Sequence, residues 1–214
     1  MDNKERLRKW LWLGLDETTA KKYQRKLSAE NVRIIRNESV IIAGIGALYT
    51  ICMLVLSHVY VKSLVCIIGA IWMFCIFLYT HSLLKKQDEI SKQETYASIG
   101  SFMICAYAVS IYVGTIGAGN ELAVTIVSLF VFLPTNFDLL PIYNLHITIV
   151  ALAMFFVSSY ITKTPDKFMY DVMDGILAAV IGNFAAFERA KIKWESVKIH
   201  EQLEEERDLS LIHI

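Results

Sequence analysis

Two aspartates three residues apart, Asp171 and Asp174, stand at the head of the apolar run "YDVMDGILAAVIGN", with Asn183 two turns beyond the adjoining Gly175. Residues three and four apart share a helix face, which places Asp171, Asp174 and Gly175 together and Asn183 further along the same helix. Carboxylates inside a bilayer cost about 2.5–3.5 kcal/mol each on insertion scales, so they mark sites that bind a ligand or ion. Two readings stay open: a ligand site, or a pair of solvated carboxylates at the membrane surface. A second candidate is "FLPTNFDLLPIYNLH", where Pro134 and Pro141 interrupt helix on either side of Asn136 and Asp138. Asp171, Asp174, Asn183, Asn136 and Asp138 are thus the candidate ligand-binding residues.

Other chemistry finds little support. His58, His81 and His146 fall near the ends of apolar runs, where an interfacial or hydrogen-bonded histidine is the expectation. The sequence holds no HExxH, no His/Asp set at metal-ligand spacing and no GxSxG. No catalytic residue and no metal ligand is assigned. The glycines of "GIG" (Gly44, Gly46) fit close helix packing, and those of "GTIGAGN" fit a turn; neither follows a strand, so nucleotide binding is a poor reading. Cys52, Cys66, Cys75 and Cys105 lie inside apolar runs without a CxxC pair, which makes them packed or lipid-facing residues.

The elements that must position these groups are membrane helices. Of 214 residues, 55% are hydrophobic, above the 45–50% usual in soluble domains. Lys62 is the only Lys, Arg, Asp or Glu between Ser39 and Leu84, and none lies from Thr95 to Asn120 or from Leu139 to Thr162. About 20 apolar residues cross the hydrocarbon layer. The charged N-terminus "MDNKERLRKW" is not a secretory leader. The expected fold is an all-α integral membrane protein with six spans, at 40–61, 63–84, 95–117, 122–136, 143–162 and 168–187. The fourth is short, and the sixth needs Asp171 and Asp174 at or near an interface. Basic residues decide the count: 18 of the 21 Lys and Arg fall before span one, between spans two and three, or after span six. That asymmetry puts both termini in the cytoplasm of a multi-pass plasma-membrane (inner-membrane) protein.

Residues 1–39 form the cytoplasmic lead-in, 40–187 the membrane domain and 188–208 a helical stalk. "RLRKWLWLGL" sets tryptophans among basic residues, as in a membrane-surface anchor that also meets anionic lipid, or simply as a lead-in held by positive charge. The following helix carries Tyr23, Leu27 and Ile34 on a sparse apolar face, with Asp16 as N-cap. "ERAKIKWESVKIHEQLEEERD" lacks Gly and Pro and continues span six as one helix. Ile192, Ile199 and Leu203 form a narrow apolar stripe, with Trp194 and Val197 nearby; it is read as the seam of a parallel homodimer.

The last residues, 209–214, read "LSLIHI". They match the translation of the mosaic-end adapter used in transposase-based sequencing libraries, so the tail is expected to be non-native and the natural chain to continue.

Six spans, a continuous exit helix and the Glu-rich "EEERD" together resemble the N-terminal part of membrane-anchored GGDEF diguanylate cyclases of clostridial type. In that family the stalk runs into "RDxLTGLxNR"; Arg207 and Asp208 match its first two positions, and Leu209 begins to depart from it. "RLRKWLWLGLD", "ENVRIIRNES" and "DVMDGILAAVIGN" are also similar to such proteins. The resemblance implies a sensory input module that governs, through a dimeric stalk, a downstream cyclase making cyclic di-GMP, with GTP and Mg²⁺ used by that domain and no cofactor in this chain. The expected partners are the bilayer, a second copy and an unknown small-molecule or membrane signal, not nucleic acid. Rival readings are the input half of a sensor histidine kinase and a small six-span transporter. The absence of a visible repeat weighs against the transporter, and the absence of a paired catalytic set weighs against a small membrane enzyme.

Overall fold

The computed structural model describes residues 12–15, 17–57, 60–85 and 90–212, and the regular structure among them is all helical. Among the described residues six α-helices follow in order: α1 Glu17–Cys52, α2 Tyr60–Leu84, α3 Lys92–Gly114, α4 Val124–Asn136, α5 Pro141–Thr162 and α6 Pro165–Ile212. A π-helical turn, Met53–Ser57, ends α1. Residues 6–11 of the expected anchor, the Asp16 cap and His58 lie outside the described residues; Trp12, Leu13 and Leu15, at the anchor's end, pack against the cluster of Ala20, Tyr23 and Leu27.

Among the described residues five helical segments are long and apolar enough to cross a bilayer: Leu27–Val55, Tyr60–Leu84, Gln93–Gly114, Pro141–Thr162 and Pro165–His200. The expected fourth span falls short. Its helix has 13 residues, about 20 Å at 1.5 Å per residue against some 30 Å of hydrocarbon. It starts at Val124 rather than 122, and beyond Asn136 the backbone becomes extended at Phe137.

Local sequence explains several boundaries. Ser91 caps α3 in a reciprocal box with Glu94: the Ser91 hydroxyl accepts from the Glu94 N–H at 3.2 Å, and the Ser91 N–H donates to Glu94 Oε2 at 2.9 Å. Pro141 opens α5 at the first-turn position, where its missing N–H costs nothing. Gly119, at φ +61°, turns the chain between α3 and α4. At 39/40, where the lead-in is expected to give way to span one, α1 runs unbroken, and α6 continues across 187/188 as one helix, as expected.

Helix directions alternate. Thr115, at the end of α3, meets Ser158 near the end of α5 through a 2.6 Å hydroxyl contact. Ala123, at the head of α4, meets Asp171 near the head of α6, while Thr135 at its foot meets Arg189. Helices α4 and α6 therefore run parallel, with α5 antiparallel to both. The core of this bundle is aromatic: Phe130 packs on Tyr107 and Phe155 with ring centroids 5.4 and 6.0 Å apart. Outward faces carry exposed Ile45, Leu48, Ile68, Val150 and Ile181, the surface expected where lipid is the solvent. Cys52 and Cys75 are exposed on it, whereas Cys66 and Cys105 are buried. Of the two "GIG" glycines only Gly46 packs closely, against Ala70; a Cβ at Gly44 would meet nothing.

The polar extensions of α1 and α6 leave the bundle at the same end and pack on each other. Tyr23 and Leu27 are buried against Trp194 and Val197, with Leu140 completing the cluster. Tyr23 and Trp194 meet edge-on at 5.4 Å. The apolar stripe expected to meet a second copy is thus partly covered: Trp194 and Val197 face α1, while of its five residues Ile192, Ile199 and Leu203 stay open, at 65%, 57% and 58% exposure. The helical backbone continues through Ile212, and His213 and Ile214 lie outside the described residues.

Candidate functional site

The buried side of α6 is a stripe of small residues, Gly175, Ala178, Ala179, Gly182, Ala186 and Ala190, interrupted by polar groups at three levels. Small residues let helix backbones approach closely within a membrane. The closest approach is at Gly182, where an added Cβ would sit 2.1 Å from the Phe130 carbonyl oxygen of α4. That carbonyl lies four residues before Pro134, which has no N–H to give it. Glycine on α6 covers the gap.

The first polar level holds Asp171. Its carboxylate accepts from Ser159 Oγ at 2.6 Å and from the Ala123 N–H at 3.2 Å, and it pairs with Lys163 Nζ at 2.6 Å. The two side chains are 2% and 0% exposed. Lys163 also donates to the Glu121 carbonyl at 2.6 Å. This buried pair ties the α3–α4 and α5–α6 connections together and sets a negative charge at the head of α4, where the helix dipole favours it. Asp174 does not share the site. It is exposed, because the face that buries Asp171 and Gly175 turns away from it.

The third level lies 18 residues further along α6, about 27 Å at helical rise. Here Arg189 donates through Nε to Asp138 Oδ1 at 3.1 Å and through Nη1 to the Thr135 carbonyl at 2.6 Å. The backbone of Asp138 is gripped by Asn31 of α1: its N–H donates to Asn31 Oδ1 at 2.9 Å, and its carbonyl accepts from Asn31 Nδ2 at 3.2 Å. Lys193 pairs with Glu30 and lies 3.9 Å from Asp138 Oδ2. Tyr23 donates its hydroxyl to the Ala190 carbonyl at 3.3 Å. Burial pushes the Tyr23 phenol above its ordinary range, and the nearby Asp138 and Glu30 carboxylates add to the effect. Asn136 is half-buried beside Glu38.

Between these anchors sits Asn183, which donates to Thr148 Oγ1 at 3.1 Å and to the Ala179 carbonyl at 2.9 Å. Asn144 of α5 donates to the Pro134 carbonyl at 3.2 Å. The five candidate residues therefore do not form one pocket. Asp171 belongs to one end of the bundle, Asp138 and Asn136 to the other, Asn183 to the middle and Asp174 to the surface. Sequence reasoning missed Lys163, Arg189, Asn31, Asn144 and Thr148. Lys163 and Arg189 were visible only as members of the basic-residue count. Of the histidines, His81 stacks on Phe77 at 5.9 Å and His146 reaches the Ile142 carbonyl at 3.1 Å. Among the described residues no cluster of three or more His, Cys, Asp or Glu side chains is placed to hold a metal.

No family model, curated protein or solved structure matches this chain.

Proposed function

We propose that this chain is a membrane input module whose last helix transmits a signal from the bundle to an output domain downstream. The observation that carries the reading is α6 itself: one 48-residue helix, about 70 Å long, that is held by buried polar contacts inside the bundle and continues beyond it. A change in the bundle that shifts α6 along or about its axis moves the exit helix with it, which is the two-state element such a mechanism requires. The clasp by Tyr23 and Leu27 leaves Ile192, Ile199 and Leu203 as the face for a second copy, so two exit helices run parallel.

The output assigned is a diguanylate cyclase, on the strength of the Arg207–Asp208 junction and the layout. Two such domains condense two GTP molecules between them, so their juxtaposition sets the rate. GTP and Mg²⁺ belong to that domain, and no residue of this chain is assigned to hold them. The short α4, extended by its buried 137–140 tail, completes the sixth crossing in this reading. The membrane is the plasma membrane, with both polar extensions in the cytoplasm.

Disulfide trapping in native membranes tests the dimer. With the four natural cysteines replaced, Ile199→Cys should give a crosslinked dimer. Replacing Ile192 and Leu203 by Ser should remove it; a dimer that survives, or none at the outset, defeats the stalk. Reading the native gene past codon 208 tests the output: an LTGLxNR-like segment followed by a GGDEF loop is expected, and a kinase domain there would replace the cyclase.

A further inference from the structure

We propose that the middle of the α3–α5–α6 bundle contains a binding site for a small uncharged hydrogen-bond donor, and that its occupant is water. The site is built from Tyr107 on α3, Asn144 and Thr148 on α5 and Asn183 on α6. Three of its atoms, Tyr107 Oη, Asn144 Oδ1 and Asn183 Oδ1, are buried without a hydrogen-bond partner, on residues 5%, 2% and 9% exposed.

Both amide orientations are set by chemistry. Asn144 points its nitrogen at the Pro134 carbonyl and Asn183 points its nitrogen at the Ala179 carbonyl, and a carbonyl only accepts. Each Oδ1 is therefore an acceptor left facing the other way. Thr148 joins the group together: it accepts from Asn183 Nδ2, donates to the Asn144 carbonyl at 2.8 Å and is faced by the Tyr107 phenol. The remaining capacity is two amide oxygens that accept and one phenol that donates or accepts.

Water matches that inventory, donating to both amides and accepting from the phenol; a buried water needs two to four such partners. An anion would face two acceptor oxygens with one donor to offset them. A cation would find four oxygens but no carboxylate, since Asp171 and Asp138 are engaged at the two ends of the bundle. Nothing in this assignment depends on an output domain.

The test uses the full chain, ¹⁵N-labelled at asparagine, in lipid bilayers. Magic-angle-spinning NMR edited for water contact should show polarisation passing from water to the Asn144 and Asn183 side-chain amides. Asn183→Leu should abolish the transfer at Asn144, and if that variant does not fold, the milder Tyr107→Phe should weaken it. Absence of transfer in the native chain means a dry node and overturns the proposal, as does transfer that neither variant alters. Exchanging Na⁺ for K⁺ or choline should leave both amide shifts in place; a cation-specific shift would make the occupant an ion and overturn it too.

Discussion

At the residue scale, what α6 needs is smallness at one position and charge balance at another. Gly182 lies against the Phe130 carbonyl that Pro134 leaves without a helical donor, and a methyl there would meet the oxygen at 2.1 Å. Helix backbone cannot yield as a flexible side chain does. Gly182→Ala should therefore cost about 1–3 kcal/mol, the usual range for overpacking, read as a lowered unfolding midpoint in lipid nanodiscs; an unchanged midpoint would show that α4 and α6 part easily. The Lys163–Asp171 pair obeys a different rule. Losing one member of a buried pair strands the other, at about 3–5 kcal/mol. Lys163→Met and Asp171→Asn should each be severe alone, and the double variant should cost clearly less than their sum. Additive costs in that cycle would mean the two groups do not interact.

At the element scale, the junction between α1 and α6 decides whether the exit helix moves alone or with its lead-in. Tyr23 is the hinge pin of that contact, buried against Trp194 and bonded to the Ala190 carbonyl. Tyr23→Phe should weaken the docking by about 1 kcal/mol, the net value of one hydrogen bond, and speed amide exchange in 17–38. The phenol also gives the contact a pH dependence. Docking raises its pKa from 10.0, so the docked state binds the proton more tightly than the undocked one. Docking is then at full strength below pH 10 and weakens as pH climbs above it, because the undocked phenol ionises first. Amide exchange measured from pH 9 to 11 should show this loss in the native chain and less of it in Tyr23→Phe. Parallel curves would show that the Tyr23 phenol does not carry the effect.

At the scale of the whole molecule, an apolar bundle carries two polar helical extensions on one end and the short turns around Gly119 and Asn120 on the other. Two ion pairs, the buried Lys163–Asp171 and the half-exposed Arg189–Asp138, bracket a length of α6 close to the thickness of the hydrocarbon layer. With the basic residues gathered on the extensions' side, the Gly119 end should face outward. In intact cells a membrane-impermeant maleimide should label Ala118→Cys, whereas Lys198→Cys should react only after permeabilisation. The opposite pattern would invert the molecule and take the exit helix away from any cytoplasmic output.

Much of the architecture was legible in the chain. Long uncharged runs must become helices in a bilayer, because each backbone polar group has to be satisfied within its own segment, and that rule reads one segment at a time. The same locality made the unbroken exit helix and the turn around Gly119 visible. The site was less legible, for a physical reason. Asp171 finds Ala123 across 48 residues, Arg189 finds Asp138 across 51 and Asn31 finds Asp138 across 107. No periodicity records such pairings. They arise from which faces and loops come together in space, as where Gly182 of α6 lies against the Phe130 carbonyl of α4. The sequence by itself determined that this chain makes long apolar helices and roughly where they lie. Only the tertiary structure decided that Asp171 is buried and Asp174 is not, since burial depends on what stands opposite a helix face.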